Sequence, residues 1–173
     1  MVDEFDAFVR GRTGALLHAA YLLTGDQHLA EDLVQAALAR THRAWGRLRE
    51  TGNAEAYTRK IMYHLQVSWW RRQRVPESLP GEPVEPRRVP GEDHVDVLAT
   101  RVALRQALLK LTPKQRAVLV LRFFEDRTET ETAEILDVNL GTVKSQTAKA
   151  LARLRTLAPG LGLETYGTTG GAR

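Results

Sequence analysis

The stretch that decides the fold is residues 128–155, which read TETETAEILDVNLGTVKSQTAKALARLR. Thr128 followed three positions later by Glu131 forms a capping box, which predicts a short helix directly after it. The tripeptide Asp-Val-Asn ends that helix, and its last residue, Asn139, can cap a longer helix. Ala133 is small where the two helices must cross closely. Two helices joined by so short a turn predict a helix-turn-helix.

The second helix of this motif carries no acidic residue, whereas a solvated surface helix normally mixes both signs of charge. Its lysines and arginines can neutralise phosphates, and its N-terminus offers backbone N–H groups to another phosphate. Ser145 and Gln146 can hydrogen-bond base edges in the major groove. An ordinary solvated helix is the alternative interpretation. The residues predicted to contact DNA are Gly141, Thr142, Lys144, Ser145, Gln146, Ala148, Lys149 and Arg153.

The N-terminal half also has the apolar spacing of helices. Apolar residues recur at helical intervals from Phe5 to Leu23, and the Thr-Gly pair that follows ends this first helix. Asp26 can cap a second helix, residues 46–52 are predicted to form a loop, and Asn53 can begin a third long helix. No segment has the alternation of a strand, so the fold is predicted to be all-α.

A change in composition divides the chain. Residues 75–95 hold five prolines and a net charge of −3, from two basic and five acidic residues. The residues before them carry a net charge of +3, and those after them carry +4. Because proline at this density forbids a helix, the sequence predicts two small helical domains, 1–74 and 96–158. A flexible acidic linker over 75–95 joins them, and a disordered tail over 159–173 follows.

Composition also argues against several classes of protein. The chain has no cysteine, which excludes disulfides and thiolate metal sites. Its N-terminus lacks the features of a signal peptide, and no apolar run approaches the ~20 residues of a membrane helix, so a cytoplasmic protein is expected. His28 and Asp32 are spaced to share a metal but have no evident third ligand. With no phosphate-binding loop or catalytic triad motif, we expect neither an enzyme nor a cofactor or metal site.

The helix-turn-helix resembles a known family. Residues 132–145, TAEILDVNLGTVKS, resemble region 4 of the extracytoplasmic-function sigma factors, a branch of the sigma-70 family. The preceding LTPKQRAVLVLRFF resembles the helix that leads into region 4, and the match is nearest to the SigE-family subgroup. Thr132, Gln146 and Thr147 depart from the usual pattern. The resemblance implies that the DNA-contacting residues given above, here called the −35 residues, read the −35 promoter element.

The second helix resembles region 2.2 of the same family. Its sequence is DQHLAEDLVQAAL, in which Leu29 and Leu33 are predicted to face the core. Glu31, Asp32 and Gln35, here called the docking residues, project on another side. The resemblance implies that they dock on the clamp helices of the polymerase β′ subunit. The alternative is that the acids only stabilise the positive end of the helix.

The third helix resembles regions 2.3 and 2.4, which recognise and open the −10 element. Trp69 and Trp70 are adjacent, so they cannot both face the core. Trp69 continues an apolar stripe and is predicted to be buried, while Trp70 and nearby cations suit melted DNA. His64 replaces an asparagine that is common in the family. The predicted −10 residues are Arg59, Lys60, Tyr63, His64, Trp70, Arg71, Arg72 and Arg74.

These patterns together predict a sigma factor that brings core RNA polymerase to promoters. The partners that the resemblance implies are the β′ clamp helices and the β flap of core polymerase, double-stranded and melted promoter DNA, and in some cases an anti-sigma factor. We expect a monomer when free, with no membrane contact. The alternative is a LuxR-like regulator that works without polymerase, since such proteins carry a similar Gly-Thr-Val-Lys-Ser string.

Overall fold

The computed structural model of the chain describes residues 2–73 and 95–161, and within these ranges it contains α-helices and no strand. The prediction of an all-α fold is therefore confirmed. The helices are α1 (Val2–Thr24), α2 (Gln27–Arg43), α3 (Trp45–Thr51), α4 (Ala54–Gln73), α5 (Val95–Leu109), α6 (Pro113–Leu119), α7 (Glu129–Leu136) and α8 (Leu140–Leu157). A π-helical segment (Val120–Phe124) continues α6, and a 3-10 turn (Pro159–Leu161) follows α8.

Helices α1 to α4 form the N-terminal group, in which α2 packs between α1 and α4. The Asp26 carboxylate caps α2 as predicted, because it accepts a hydrogen bond from the Leu29 N–H at 2.8 Å. Leu33 is fully buried, but Leu29 is 37% exposed, so its predicted core position is wrong. The buried stripe of α2 runs through Ala30, Leu33, Val34, Ala37 and Thr41. Leu29 directly precedes Ala30 in the sequence, and its side chain therefore lies beside the buried face of α2 rather than on it.

The predicted loop over 46–52 is also wrong, because Trp45–Thr51 form helix α3. Leu48 is buried and holds this short helix against the group. Gly52, with φ of +68°, ends α3 in the left-handed conformation that favours glycine. Trp45 at the start of α3 also packs against Phe5 and Phe8 of α1, so tertiary contacts favour a helix in a segment that was predicted to be a loop.

Helices α5 to α8 form the C-terminal group, and side-chain caps begin its last three helices. Thr112 and Gln115 form a capping box on α6, and Thr128 and Glu131 form one on α7. Asn139 accepts a hydrogen bond from the Thr142 N–H at 2.7 Å and caps α8. The helix-turn-helix predicted from these caps is therefore confirmed, with α7 and α8 as its two helices.

The two groups pack against each other. α1 contacts α5, α6 and the π-helical segment, while α4 contacts α6 and α7. One hydrophobic cluster runs through both groups, with Leu23 and Tyr63 from the first and Leu108 and Leu119 from the second. The predicted linker, 75–95, lies outside the described residues except for Val95, which begins α5. Of the predicted tail, residues 159–161 form the 3-10 turn and the rest lies outside the described residues.

Arg116 joins the two groups, and it has no carboxylate partner among the described residues. Its guanidinium donates hydrogen bonds to the carbonyl of Leu23 at the end of α1 and to that of Leu108 near the end of α5. Further bonds go to the carbonyls of Leu109 and Leu111. Burial lowers the pKa of Arg116 to about 10, which leaves it charged at neutral pH. The negative ends of two helix dipoles thus converge on one buried cation.

Candidate nucleic-acid and polymerase interfaces

Helix α8 has a buried side and an exposed side. Val143, Ala150, Leu151 and Leu154 are buried, and the helix packs against α6 and α7. Among the −35 residues, Thr142 and Gln146 are half-buried. The exposed ones are Gly141, Lys144, Ser145, Ala148, Lys149 and Arg153. The −35 residues therefore form an accessible, acid-free strip along the second helix of the helix-turn-helix.

One residue of this strip pairs with a carboxylate of α7. The Lys144 ammonium lies 3.9 Å from the Glu129 carboxylate, in a pair that is largely exposed to solvent. Ser145 donates its hydroxyl hydrogen bond to the Thr142 carbonyl at 3.2 Å, so this hydroxyl can accept from a base as it stands but must rotate to donate to one. The sequence of α8 alone could not reveal the Glu129 pair, because that carboxylate belongs to the preceding helix.

Thr132, which departs from the family pattern, is a core residue of α7. It is fully buried, and its hydroxyl has no hydrogen-bond partner among the described residues. The position is thus an apolar environment that holds a polar side chain, which explains why an apolar residue is the usual occupant.

The docking residues lie on the outer side of α2. Asp32 and Gln35 are exposed, and Glu31 is half-buried. The Gln27 amide donates to the Glu31 carboxylate at 3.1 Å. All three lie away from the buried stripe of α2, so they share a polar surface that a second protein can reach.

The structure divides the −10 residues into two sets. Lys60, His64, Arg71 and Arg72 are exposed and Trp70 is half-buried, while Arg74 lies outside the described residues. Trp69 is also half-buried and packs against the core, in line with its predicted role. Arg59 and Tyr63, in contrast, are only 5% and 0% exposed. In this arrangement of the two groups, the exposed −10 residues and Trp70 are accessible to DNA, whereas Arg59 and Tyr63 are not.

Arg59 is held in a partly buried network of charges between the two groups. Its Nε donates to the Glu125 carboxylate at 2.9 Å, and another of its nitrogens pairs with Glu55 on its own helix. Glu55 also pairs with Arg127 at 3.2 Å and with Arg12 at 3.1 Å. Two of these pairs, Arg59 with Glu125 and Arg127 with Glu55, cross from one group to the other.

The network shifts the titration of the groups inside it. Burial by itself lowers the pKa of Arg59, but the Glu125 and Glu55 carboxylates outweigh burial and raise it above its ordinary value. Burial first, and then the charge of Glu125, raise the pKa of Tyr63 well above its ordinary range. The Tyr63 hydroxyl stays protonated, and hydrogen bonding to the Glu125 carboxylate adds to the rise in its pKa.

Sequence reasoning missed Glu125 and Arg127, which form part of a turn between two helices. The only local signal was Glu55 four residues before Arg59, a spacing that pairs opposite charges on one helix face. Nothing local links Arg59 to Glu125, which lies 66 residues away.

No helix among the described residues is both long and apolar enough to cross a membrane. No group of three or more histidine, cysteine or acidic side chains in these ranges lies close enough together to hold a metal ion.

Comparison with protein families gives two matches in one chain. The family described as Sigma-70 region 2 matches residues 8–75, and the family described as Sigma-70, region 4 matches residues 101–154. The first match contains the docking residues and all the −10 residues. The second contains the −35 residues and the turn that carries Glu125.

Comparison with individual proteins gives relatives over most of the chain. The RNA polymerase sigma-E factor of Streptomyces coelicolor is 42% identical over 154 residues, which is 89% of this chain and 85% of the relative. The ECF RNA polymerase sigma factor SigM of Mycobacterium tuberculosis is 30% identical over 153 residues, covering 88% and 76% of the two chains. Among solved structures, the sigma factor RpoE from Bartonella quintana, crystallised with the anti-sigma factor NepR, has a similar fold. Its TM-score is 0.66 at 23% identity, and the match covers 91% of this chain and 98% of that one.

Proposed function

We propose a mechanism of promoter-directed initiation on the premise that this chain belongs to the extracytoplasmic-function branch of the sigma-70 family. The chain binds core RNA polymerase and directs it to promoters by two contacts with DNA. The observation that carries this proposal is the presence of region 2 and region 4 in one chain, with an exposed and acid-free face on α8.

The −35 contact is made by α8. Lys144, Lys149 and Arg153 are placed to neutralise phosphates, and the capped N-terminus of α8 offers backbone N–H groups to another phosphate. Gln146 and Ser145 lie on the same strip, where their polar atoms can meet base edges in the major groove. Phosphate contacts position the helix, and base contacts select the sequence.

The −10 contact is made by α4. Its exposed cations, Lys60, Arg71 and Arg72, attract the phosphate backbone, and Trp70 offers an aromatic face on which an unstacked base can lie. Arg59 and Tyr63 join this contact when the C-terminal group moves away from α4. Opening of the duplex then follows from capture of bases that have left the stack.

Polymerase binds through the docking residues of α2 and the β′ clamp helices, while the C-terminal group meets the β flap. Asp32 and Gln35 are exposed and can form charged and polar contacts with the clamp. The chain acts by binding and positioning rather than by catalysis, and it acts in the cytoplasm, where polymerase is found. A regulator that works without polymerase is not favoured, because the N-terminal half matches region 2.

Run-off transcription with purified core polymerase tests this function, and Lys144→Glu tests the division of labour. We expect the wild-type chain to start transcription at mapped promoters and Lys144→Glu to abolish it, because a carboxylate would repel the phosphate at that position. Pull-down of core polymerase should be unchanged in this variant. The matched control is Lys110→Glu, which makes the same change of charge at an exposed lysine outside α8.

Two outcomes would contradict the proposal. If core polymerase neither binds the wild-type chain nor initiates better with it, the proposed function is wrong. If Lys144→Glu loses polymerase binding, the separation between the docking residues and the −35 residues is wrong.

A further inference from the structure

The inference concerns the ion pair between α7 and α8, and it rests on the proposed contact of α8 with the −35 element. Lys144 is an exposed cation among the −35 residues, as are Lys149 and Arg153. The Lys144 ammonium lies 3.9 Å from the Glu129 carboxylate. Neither Lys149 nor Arg153 pairs with a carboxylate among the described residues. Lys144 therefore differs from the other two cations, because it has an anionic partner before DNA arrives.

Glu129 lies at the edge of the surface that faces DNA. It is the first residue of α7, and its pair with Lys144 joins the start of α7 to the first half of α8. In a helix-turn-helix the first half of the second helix enters the major groove, while the first helix crosses the sugar-phosphate backbone. The carboxylate is thus close to the phosphates that Lys144 is placed to neutralise.

We propose that Glu129 weakens the −35 contact by competing with a DNA phosphate for Lys144. The ammonium has to leave the carboxylate before it neutralises a phosphate, because two anions on one lysine repel each other. Glu129 therefore acts on DNA affinity through Lys144, and it makes no attractive contact with DNA itself.

The exposure of the pair limits the size of this effect. The side chains of Lys144 and Glu129 are 61% and 37% exposed. Pairs at the surface are weak and are screened by salt, and they change an equilibrium constant by up to about five-fold. Glu129 consequently adjusts the strength of the −35 contact and does not prevent it.

The other acids of α7 have different surroundings. Glu131 accepts a hydrogen bond from the Thr128 N–H at 2.8 Å and lies 3.8 Å from Arg127. Glu134 lines a cleft that α7 shares with α3 and α4, and no residue of α8 lines that cleft among the described residues. The competition for Lys144 is therefore assigned to a single carboxylate, which one substitution removes.

A weakened −35 contact suits a protein whose binding to DNA has to be reversed. Polymerase must break this contact when it leaves the promoter, and tighter binding makes that step slower. A weaker phosphate contact also shortens the time that the chain stays on DNA without a promoter, since such binding comes almost entirely from phosphates. Glu129 thus lowers affinity at the contact that depends most on exposed cations.

Glu129→Gln tests the competition in the full chain, because it removes the charge and keeps the size of the side chain. The probe is a fluorescein-labelled duplex of mixed sequence and about 20 base pairs, which measures phosphate contacts independently of any promoter. We expect this variant to bind the duplex about three-fold more tightly than the wild type at about 0.1 M salt. The plot of log affinity against log salt concentration should become steeper by up to about 0.9, the value for one added phosphate contact.

The same substitution in a Lys144→Gln background shows whether the effect passes through Lys144. We expect a gain of less than about 1.5-fold there, because a neutral amide attracts neither the carboxylate nor the phosphate as an ion. An equal gain in both backgrounds would mean that the carboxylate repels DNA directly, and it would overturn the proposal. No gain in the wild-type background would overturn it as well. Damage to α7 cannot imitate the expected result, since it would lower the affinity.

Glu134→Gln is the matched control, since it removes the same charge from an exposed position of the same helix. We expect no comparable gain in duplex affinity for this variant, because the salt screens charges that do not lie beside the contact. A gain equal to that of Glu129→Gln would assign the effect to net charge and refute the competition.

The duplex measurement needs no polymerase, so its result is separate from the proposed function. Normal run-off transcription by the wild type, together with unchanged duplex affinity in Glu129→Gln, would refute the inference alone. Absent transcription with the expected gain in affinity would refute the function as a sigma factor and leave the competition for Lys144 valid.

Discussion

The Arg116 guanidinium satisfies four backbone carbonyls at once, three of them at the carboxyl ends of α1 and α5. A lysine has three donors on a single nitrogen and cannot span the same set. Because the carbonyls belong to two different groups of helices, the interaction contributes both to folding and to the contact between the groups.

We predict that Arg116→Met lowers the free energy of unfolding by about 3 kcal/mol or more, since it leaves several buried carbonyls without a donor. Urea denaturation of the full chain measures the change. Lys114→Met, at an exposed lysine of the same helix, is the control and should change the stability by less than about 0.5 kcal/mol. Equal losses in the two variants would show that the carbonyl contacts contribute nothing specific.

Arg116 also shows why the burial of a single cation is hard to predict from the sequence. Nothing in the sequence around Arg116 or Arg59 indicates burial, and Arg59 was predicted to contact DNA because it lies among the cations of the helix that carries Trp69 and Trp70. Both are buried because of partners that lie far away in the chain, Leu23 at a separation of 93 residues and Glu125 at 66. The lysines of α8 are exposed, and their contact with DNA stays a prediction. Whether a cation is buried or exposed depends on its partners in the fold, and partners that are distant in the sequence produce no local sequence pattern.

At the scale of elements, the capping box of α7 makes the start of that helix sensitive to pH. The Glu131 carboxylate accepts a hydrogen bond from the Thr128 N–H at 2.8 Å, and bonding to Thr128 lowers the pKa of Glu131 below its ordinary 4.5. A carboxyl whose pKa is lower in the folded state stabilises that state above its unfolded pKa. The contribution is lost as the pH falls through the folded value.

We therefore predict that the first turn of α7 frays as the pH falls below about 4.5, the ordinary pKa of Glu131. The Thr128 amide proton should report this in NMR spectra as a shift that follows a single titration. In Glu131→Gln the amide oxygen can still accept the hydrogen bond but does not titrate, so the pH-dependent shift should disappear. Persistence of the shift in this variant would assign it to another group.

Elements defined by local chemistry were predicted well. The caps at Thr112, Thr128 and Asn139 fixed where α6, α7 and α8 begin, because a cap and the N–H groups it binds lie within one turn. Helix α3 was missed because it is held by tertiary contacts, the burial of Leu48 and the packing of Trp45 on Phe5 and Phe8. The π-helical segment after α6 was not expected either, since its widened turn depends on the packing around it.

For the whole molecule, the two family matches, over residues 8–75 and 101–154, agree with the prediction of two helical domains, whereas the predicted domain bounds around residues 75–95 stay a prediction. The packing of one group on the other was not predictable. It depends on contacts such as Arg59 with Glu125 and on the shared core around Tyr63 and Leu108. Local sequence patterns can indicate which residues belong to each helix, but they do not indicate which residues of the two groups contact each other.

Gly25 provides a test of that packing because it lies where the two groups meet. Its φ is +71°, and a Cβ added there would lie 2.5 Å from Cδ1 of Leu109, at the end of α5. Gly52 has nearly the same backbone, with φ of +68°, but a Cβ there would have no neighbour within 4 Å. Substitution by alanine should cost each position about 1 kcal/mol for the left-handed conformation. Only Gly25→Ala should also push Leu109 away.

We predict that Gly25→Ala increases the distance between labels at Ala39→Cys and Ala152→Cys, whereas Gly52→Ala lowers stability without changing that distance. Adding Leu109→Ala to Gly25→Ala should bring the groups back together, since it removes the side chain that the new methyl group displaces. Spin-label distances and urea denaturation of the same four proteins separate the two effects. If both glycine variants move the labels equally, backbone strain rather than contact between α1 and α5 controls how the groups associate.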